Sequence, residues 1–220
     1  MNEMNTVLFD FDGTLADTRH ALLQVYRRLA AKYNFPEWPK EKLEELWRLP
    51  ILERLNKAGV PLSLLPRLAR ETRAIVSEFM HQAVPYPGVH DMLASLLDKG
   101  FRIYILSSNS EQNIRTFLND HGMTDIFKKV HTAKNLLGKH AAIRSFLFRN
   151  RIKKTEAVYV GDELRDITAC KKVPIRVIAV SWGYDVLSLL RQGRPDAIAN
   201  SPSDILPIIE SGFADGMSSG

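Results

Sequence analysis

The chain has little of what would staple, anchor or sort it. Cys170 is its single cysteine, so no internal disulfide can form, and that usage fits a reducing compartment. Its six histidines (His20, His81, His90, His121, His131 and His140) are scattered, without the short spacing of a zinc site. No apolar run approaches the roughly 18 residues needed to span a bilayer. The first strand pattern begins almost at once, with no charged-then-apolar leader before it. These absences lead to the expectation of a cytoplasmic protein with no membrane partner. Tracts of one charge are also missing. Lys and Arg total 30 against 25 Asp and Glu, for a net charge of +5 and a pI near 9.3, yet the longest basic stretches are Lys128-Lys129 and Arg151-Ile152-Lys153-Lys154. Charge spread in this way reads as solvated helix faces, and no nucleic-acid partner is expected; attraction of anionic phosphorylated substrates stays compatible with it.

What is present is an ordinary globular composition, 45% hydrophobic and 25% charged over 220 residues. That length suits one α/β domain, or a domain of about 150 residues carrying a smaller insertion. Short apolar runs at 6–9, 101–106, 157–160 and 175–180 read as buried strands, with weaker ones at 126–132 and 196–199. Helical patterns lie at 89–97, 112–121, from 139 onward and at 203–209; 213–220 reads as a frayed tail. Strands alternating with helices imply a doubly wound parallel sheet.

Residues 17–85 are different. Leu22, Val25, Tyr26, Leu29 and Ala30 recur at helical spacing over 17–34, with Asp17 or Thr18 placed to cap the start. Helical stretches follow at 41–49, 50–58 and 63–81, no strand pattern intervenes, and Pro85-Tyr86-Pro87-Gly88 marks the return. An all-helical block set between two strands is a candidate lid. Arg19, Arg48, Arg54 and Lys57 are its cationic candidates for a substrate, while Trp38 and Trp47 read as its core.

Polar residues collect at strand ends. The first strand runs into Asp10-Phe11-Asp12-Gly13-Thr14-Leu15, followed by Asp17-Thr18. Period-two alternation puts Asp10 and Asp12 on one side, Gly13 frees the turn, and Thr14 can hydrogen-bond in it. An Asp-Gly turn with one helix-capping carboxylate accounts for an isolated copy; a hard divalent cation accounts for two carboxylates at a buried strand mouth. Ser107-Ser108-Asn109-Ser110 ends another strand and offers hydroxyl and amide donors beside a helix N-terminus, a phosphate-binding arrangement or simply a cap. Lys139, preceded by Gly138, opens a helix where a cation opposes the helix dipole unless an anion is also there; Lys134 is the alternative lysine. Gly161-Asp162-Glu163-Leu164-Arg165-Asp166 follows a further strand, and its two aspartates, four apart, share a helix face. Ser181-Trp182-Gly183-Tyr184 follows the next.

Together these segments resemble the four motifs of the haloacid dehalogenase superfamily, in the form of the phosphatases similar to phosphoglycolate phosphatase. The resemblance runs from about Met4 to Ile209. It implies a Rossmann-like core formed by residues 1–16 and 86–220 with an inserted helical cap, 17–85. It further implies a Mg²⁺-dependent phosphomonoester hydrolase working through an aspartyl-phosphate. In that pattern Asp10 is the nucleophile and Asp12 the general acid and then base. Ser107 binds the transferring phosphoryl group with Lys139, the substrate-binding set extending to Ser108, Asn109, Gly13 and Thr14. Asp10, Asp12, Asp162 and Asp166 form the metal set, Asp166 binding through water or orienting the lysine. Lys139-His140 stands where a common version has Lys-Pro, which keeps Lys134 open. The partner implied is a small phosphomonoester, with the protein a monomer or homodimer. A phosphosugar mutase, and a binding module that kept the core and lost turnover, remain as alternatives; Asp12 with Asp162 argues against a dehalogenase.

Overall fold

A computed structural model describes residues 4–39, 42, 45, 46, 48–133 and 138–213. Trp47, Lys134, part of the 41–49 stretch and all but the first residue of the expected 213–220 tail lie outside them. The strands are β1 (Thr6–Phe9), β2 (Ala16–Asp17), β3 (Val84–Pro85), β4 (Arg102–Ser107), β5 (Lys129–Thr132), β6 (Ala157–Gly161), β7 (Arg176–Val180) and β8 (Ala197–Ala199). Six of them form one sheet in the order β5-β4-β1-β6-β7-β8, every neighbouring pair parallel. The sheet is covered on both faces, which is why its strands read as nearly continuous apolar runs. Val7 and Phe9 of β1 pack with Ile103, Ile105, Val158 and Val160 on one face. Leu8 packs with Tyr104, Leu106 and Tyr159 on the other.

Helices α4 (Val89–Asp98), α5 (Glu111–Asp120) and α9 (Ile205–Glu210) supply apolar stripes to the first face; among them Val89, Leu93, Ile114, Phe117 and Ile205 are fully buried. Helices α6 (Lys139–Arg149), α7 (Leu164–Lys172) and α8 (Leu187–Gly193) cover the second with Ile143, Phe146, Ile167, Cys170 and Leu190. The α/β doubly wound architecture expected from the sequence is the one observed. Helix α8 is the addition, a short piece on which no expectation had been placed.

The chain leaves β1 towards β4 on one side and reaches β6 on the other, so the carboxyl end of β1 is a topological switch point, where open α/β sheets place their ligands. Between β1 and β4 comes the helical segment: α1 (Arg19–Tyr33), α2 (Ile51–Lys57) and α3 (Leu65–Phe79), with 3₁₀ turns at Leu62–Leu64 and Met80–Gln82. Ala21, Val25, Leu29 and Ala30 of α1 are buried, facing α3. Both junctions of this segment are strands, β2 and β3, which pair antiparallel through Ala16–Pro85 and Asp17–Val84. Two residues each are too few to show alternation in a sequence. No helix among the described residues is long and apolar enough to cross a membrane.

Candidate active site

Asp10 is the first residue past β1. Its N–H donates to Val160 O of β6 at 2.8 Å, its Oδ1 accepts from Phe11 N at 2.8 Å, and its Oδ2 accepts from Lys139 Nζ at 2.5 Å. Asp162 follows β6, with Oδ1 accepting from Thr14 Oγ1 at 2.9 Å and Oδ2 from Tyr184 N at 2.8 Å. Asp166, in the first turn of α7, accepts from Lys139 Nζ through Oδ1 and from Glu163 N through Oδ2 at 3.3 Å. Adjacent strand ends and the first turn of a helix thus bring three buried carboxylates together; Asp10, Asp162 and Asp166 each offer an oxygen within 4.8 Å of the others. Gly13 and Gly183 permit the approach. Gly13 has φ +80°, and a Cβ there would lie 2.1 Å from Asp162 Oδ2; a Cβ on Gly183 would lie 2.1 Å from Asp162 Cβ.

Two of these three carboxylates, Asp10 and Asp166, share the Lys139 ammonium, and the electrostatics follow. Burial, then Glu163, Asp10 and Asp166, pushes Asp162 well above the usual carboxylate range. Burial and Asp10 lift Asp166 to about 6 against the pull of Lys139. For Lys139 burial favours the neutral amine, but Asp10 and Asp166 outweigh it and hold the ammonium above its ordinary value. A donor set of oxygens alone, buried and in excess of its local positive charge, fits a hard divalent cation.

Asp12 stands apart. Expected in the metal set, it is not one of the three clustered carboxylates: its Oδ1 accepts from Thr18 Oγ1 and from Asn109 Nδ2, both at 3.0 Å. β1 ends at Phe9, and Asp12 belongs to the turn bridged to Ala16, where strand alternation no longer sets direction. Burial and then Asp10 push the Asp12 carboxyl up to about 6, opposed by those two hydrogen bonds and by Arg165.

The other expected residues fall around this centre. Ser107 closes β4, fully buried, its Oγ accepting from Asn109 N at 3.1 Å. Ser108 offers its carbonyl to Arg73 Nε of α3 at 3.0 Å. Asn109 Oδ1 accepts from Asn113 Nδ2 at 2.9 Å, so its amide is directed towards Asp12 from behind. Thr14 spends its hydroxyl on Asp162. Lys139 is the lysine brought to Asp10, and its unfavourable place at a helix start is answered by two carboxylates. Thr18 occupies the N-cap position of α1 without a side-chain cap bond, and Asp17 Oδ1 before it accepts from Arg19 N at 3.1 Å.

The sequence reading named several further groups without the links between them. Thr18 also bonds Tyr184 Oη, Trp182 Nε1 donates to Thr14 O at 3.0 Å, and Arg19 Nη2 donates to Trp182 O and Gly183 O at 2.7 and 2.6 Å. The loop after β7 is therefore wired to the β1 turn, to Asp162 and to α1. Its aromatic and glycine content was visible; its partners in the β1 turn and α1, more than 160 residues away, were not. Arg54 was one of the cationic candidates, but no pattern tied it to Asp185, which its Nη2 meets at 2.8 Å.

Comparison with known proteins agrees with this geometry. A phosphoglycolate phosphatase of Synechococcus elongatus is 29% identical over 206 residues, covering 94% of this chain and 97% of the relative. The pyrophosphatase PpaX of Halalkalibacterium halodurans is 23% identical, with the same coverage. Among solved structures, a haloacid dehalogenase-like family hydrolase from Streptococcus pneumoniae superposes with a TM-score of 0.79 at 18% identity, over 94% of this chain and 99% of that one, a likeness of fold. The profile of the haloacid dehalogenase-like hydrolases matches residues 7–180, and the chain belongs to that family.

Proposed function

We propose that the protein is a Mg²⁺-dependent phosphatase that hydrolyses a small phosphomonoester through a phosphorylated Asp10. The observation that carries this reading is the division of labour among the carboxylates of the site. Asp10, Asp162 and Asp166 converge, with Lys139 on two of them, while Asp12 accepts from Thr18 and Asn109 instead. The named activities of the relatives, on phosphoglycolate and on pyrophosphate, support a small anionic substrate. Residues 1–16 and 86–220 would form the catalytic core and 17–85 the cap, in a cytoplasmic protein.

Lys139 would bind the phosphoryl oxygens opposite Asp10, with the Ser107 hydroxyl at the neighbouring strand end, and would keep the nucleophilic carboxylate oriented. Asp10 attacks phosphorus, and the ester P–O bond breaks as Asp12 gives its proton to the leaving oxygen. Asp12, now a carboxylate, takes a proton from water; the water oxygen attacks phosphorus and the bond to Asp10 breaks, giving inorganic phosphate. A carboxyl lifted to about 6 is suited to both transfers near neutral pH. Asp10, Asp162 and Asp166 are the residues that would hold Mg²⁺, which would neutralise charge on the phosphoryl group and the nucleophile. Helices α1–α3 would close over the substrate and exclude water.

The test is phosphate release from a panel of small phosphomonoesters, with Mg²⁺ or chelator, by wild type and Asp10→Asn. The reading predicts metal-dependent release that the substitution lowers by about 10⁴-fold or more. Full activity in Asp10→Asn would remove Asp10 from its role.

A further inference from the structure

The chemistry proposed above leaves the buried ion pair of Arg54 and Asp185 unused. Arg54 lies on α2, and Asp185 lies at the end of the loop after β7, 131 residues away. The pair is 2.8 Å long, its side chains 12% and 4% exposed. The guanidinium also binds the turn before its own helix, donating to Leu46 O at 3.1 Å and Leu49 O at 3.0 Å. The second Asp185 oxygen is engaged as well: Oδ2 accepts from Leu164 N at 2.8 Å. Leu164 is the first residue of α7, the helix whose first turn carries Asp166 and which begins two residues past Asp162. That N–H has no partner within its helix and needs one from outside.

We propose that Asp185 is a positioning residue that couples the seating of the helical segment to the carboxylate-bearing turn 162–166, because Arg54 and the first N–H of α7 share its two oxygens. This rests on the functional reading above for its consequence in catalysis, but not for the coupling itself.

Several facts favour this over incidental pairing. A buried ion pair seldom repays its desolvation, so its retention points to geometry rather than stability. Here burial and Glu163 lift the Asp185 carboxyl to about 6 despite Arg54 and the Leu164 N–H, showing an environment that resists the charge. The loop has no slack to absorb a shift, since Tyr184 N holds Asp162 Oδ2 and Arg19 holds the carbonyls of Trp182 and Gly183. When Arg54 departs, Asp185 is left as a buried charge with one amide donor, and its rearrangement falls on the start of α7. Residues that orient metal ligands from behind act on metal affinity in this way.

The experiment is amide hydrogen exchange on the ligand-free chain, resolved at Leu164, Arg165 and Asp166, for wild type, Asp185→Asn, Arg54→Gln and Arg54→Lys. Exchange at these core amides should rise about tenfold in Asp185→Asn and several-fold in Arg54→Gln. Arg54→Lys keeps a cation for Asp185 but loses the paired carbonyl bonds, and exchange should stay within about twofold of wild type. The apparent Kd for Mg²⁺, measured by calorimetry without substrate, should weaken in the same order, by about tenfold in Asp185→Asn. If Arg54→Gln leaves the 164–166 amides at the wild-type rate while Asp185→Asn exposes them, Asp185 is only a helix cap and the coupling is refuted. Equal defects in Arg54→Lys and Arg54→Gln would assign the effect to the carbonyl bonds and overturn it too. Should wild type bind no Mg²⁺ and hydrolyse nothing, the functional reading fails, and the exchange data still decide the coupling.

Discussion

The sheet and the helical segment of this protein are built on different terms. Around the sheet, strands and helices bury whole side chains, and the site carboxylates are fixed through both oxygens. In the segment, α2 buries none of its residues and α3 buries only Leu68 and Val76. Its attachment to the core adds polar arms to an apolar seam at Met80 and Ala83: Arg19 and Arg54 on the loop after β7, and Arg73 on Ser108 O and Ala133 O. Dense apolar packing keeps one geometry, whereas a few hydrogen bonds can be exchanged at modest cost. The contrast is the one the proposed reading needs between a catalytic floor and a cap.

Breaking the floor should cost most. Lys139→Met leaves Asp10 and Asp166 as buried charges without their counterion, and the ligand-free protein should lose about 3–5 kcal/mol in denaturant unfolding. A loss under about 1 kcal/mol would mean that the carboxylates are already protonated or solvated. Leu93→Ala, in the fully buried stripe of α4, should cost about 2–5 kcal/mol, while Leu52→Ala on α2, 42% exposed, should stay within about 0.5 kcal/mol. Comparable costs at the two sites would erase the distinction between the regions.

That distinction also governs what the sequence discloses. Strand ends were legible because each chemical residue follows a buried apolar run directly: Asp10 after Phe9, Asp162 after Gly161, Ser107 within β4 itself. Lys139 was legible as a cation placed against a helix dipole. The role of Asp12 was half visible. Its proximity to Asp10 came through, but its orientation depends on Thr18 and Asn109, partners set by the β1 turn and the β4 loop. The β2–β3 ribbon was too short to leave a pattern. The links through Tyr184, Arg73 and Asp185 are pairings between distant segments, and no local periodicity records them.

A smaller effect sharpens the picture of the centre. The folded Asp166 carboxyl is lifted to about 6 against an ordinary value of 3.8, and Asp162 is raised as well. Folding without a cation therefore retains protons that the unfolded chain releases. The stability these protons supply is full below the unfolded value and is lost as pH rises through about 6. A bound cation must displace them. The rise in melting temperature on adding Mg²⁺ should accordingly be large at pH 7.5 and small at pH 5, with apparent affinity falling about tenfold per pH unit for each proton displaced. An equal shift at both pH values would place the cation elsewhere.

The most direct measurement is mass spectrometry of the peptide containing Asp10, from enzyme quenched in acid during turnover of its best phosphomonoester. The account predicts an added phosphoryl group on Asp10 that is absent with chelator and absent in Asp10→Asn. Turnover with no adduct on that peptide, or an adduct on another residue, would contradict it.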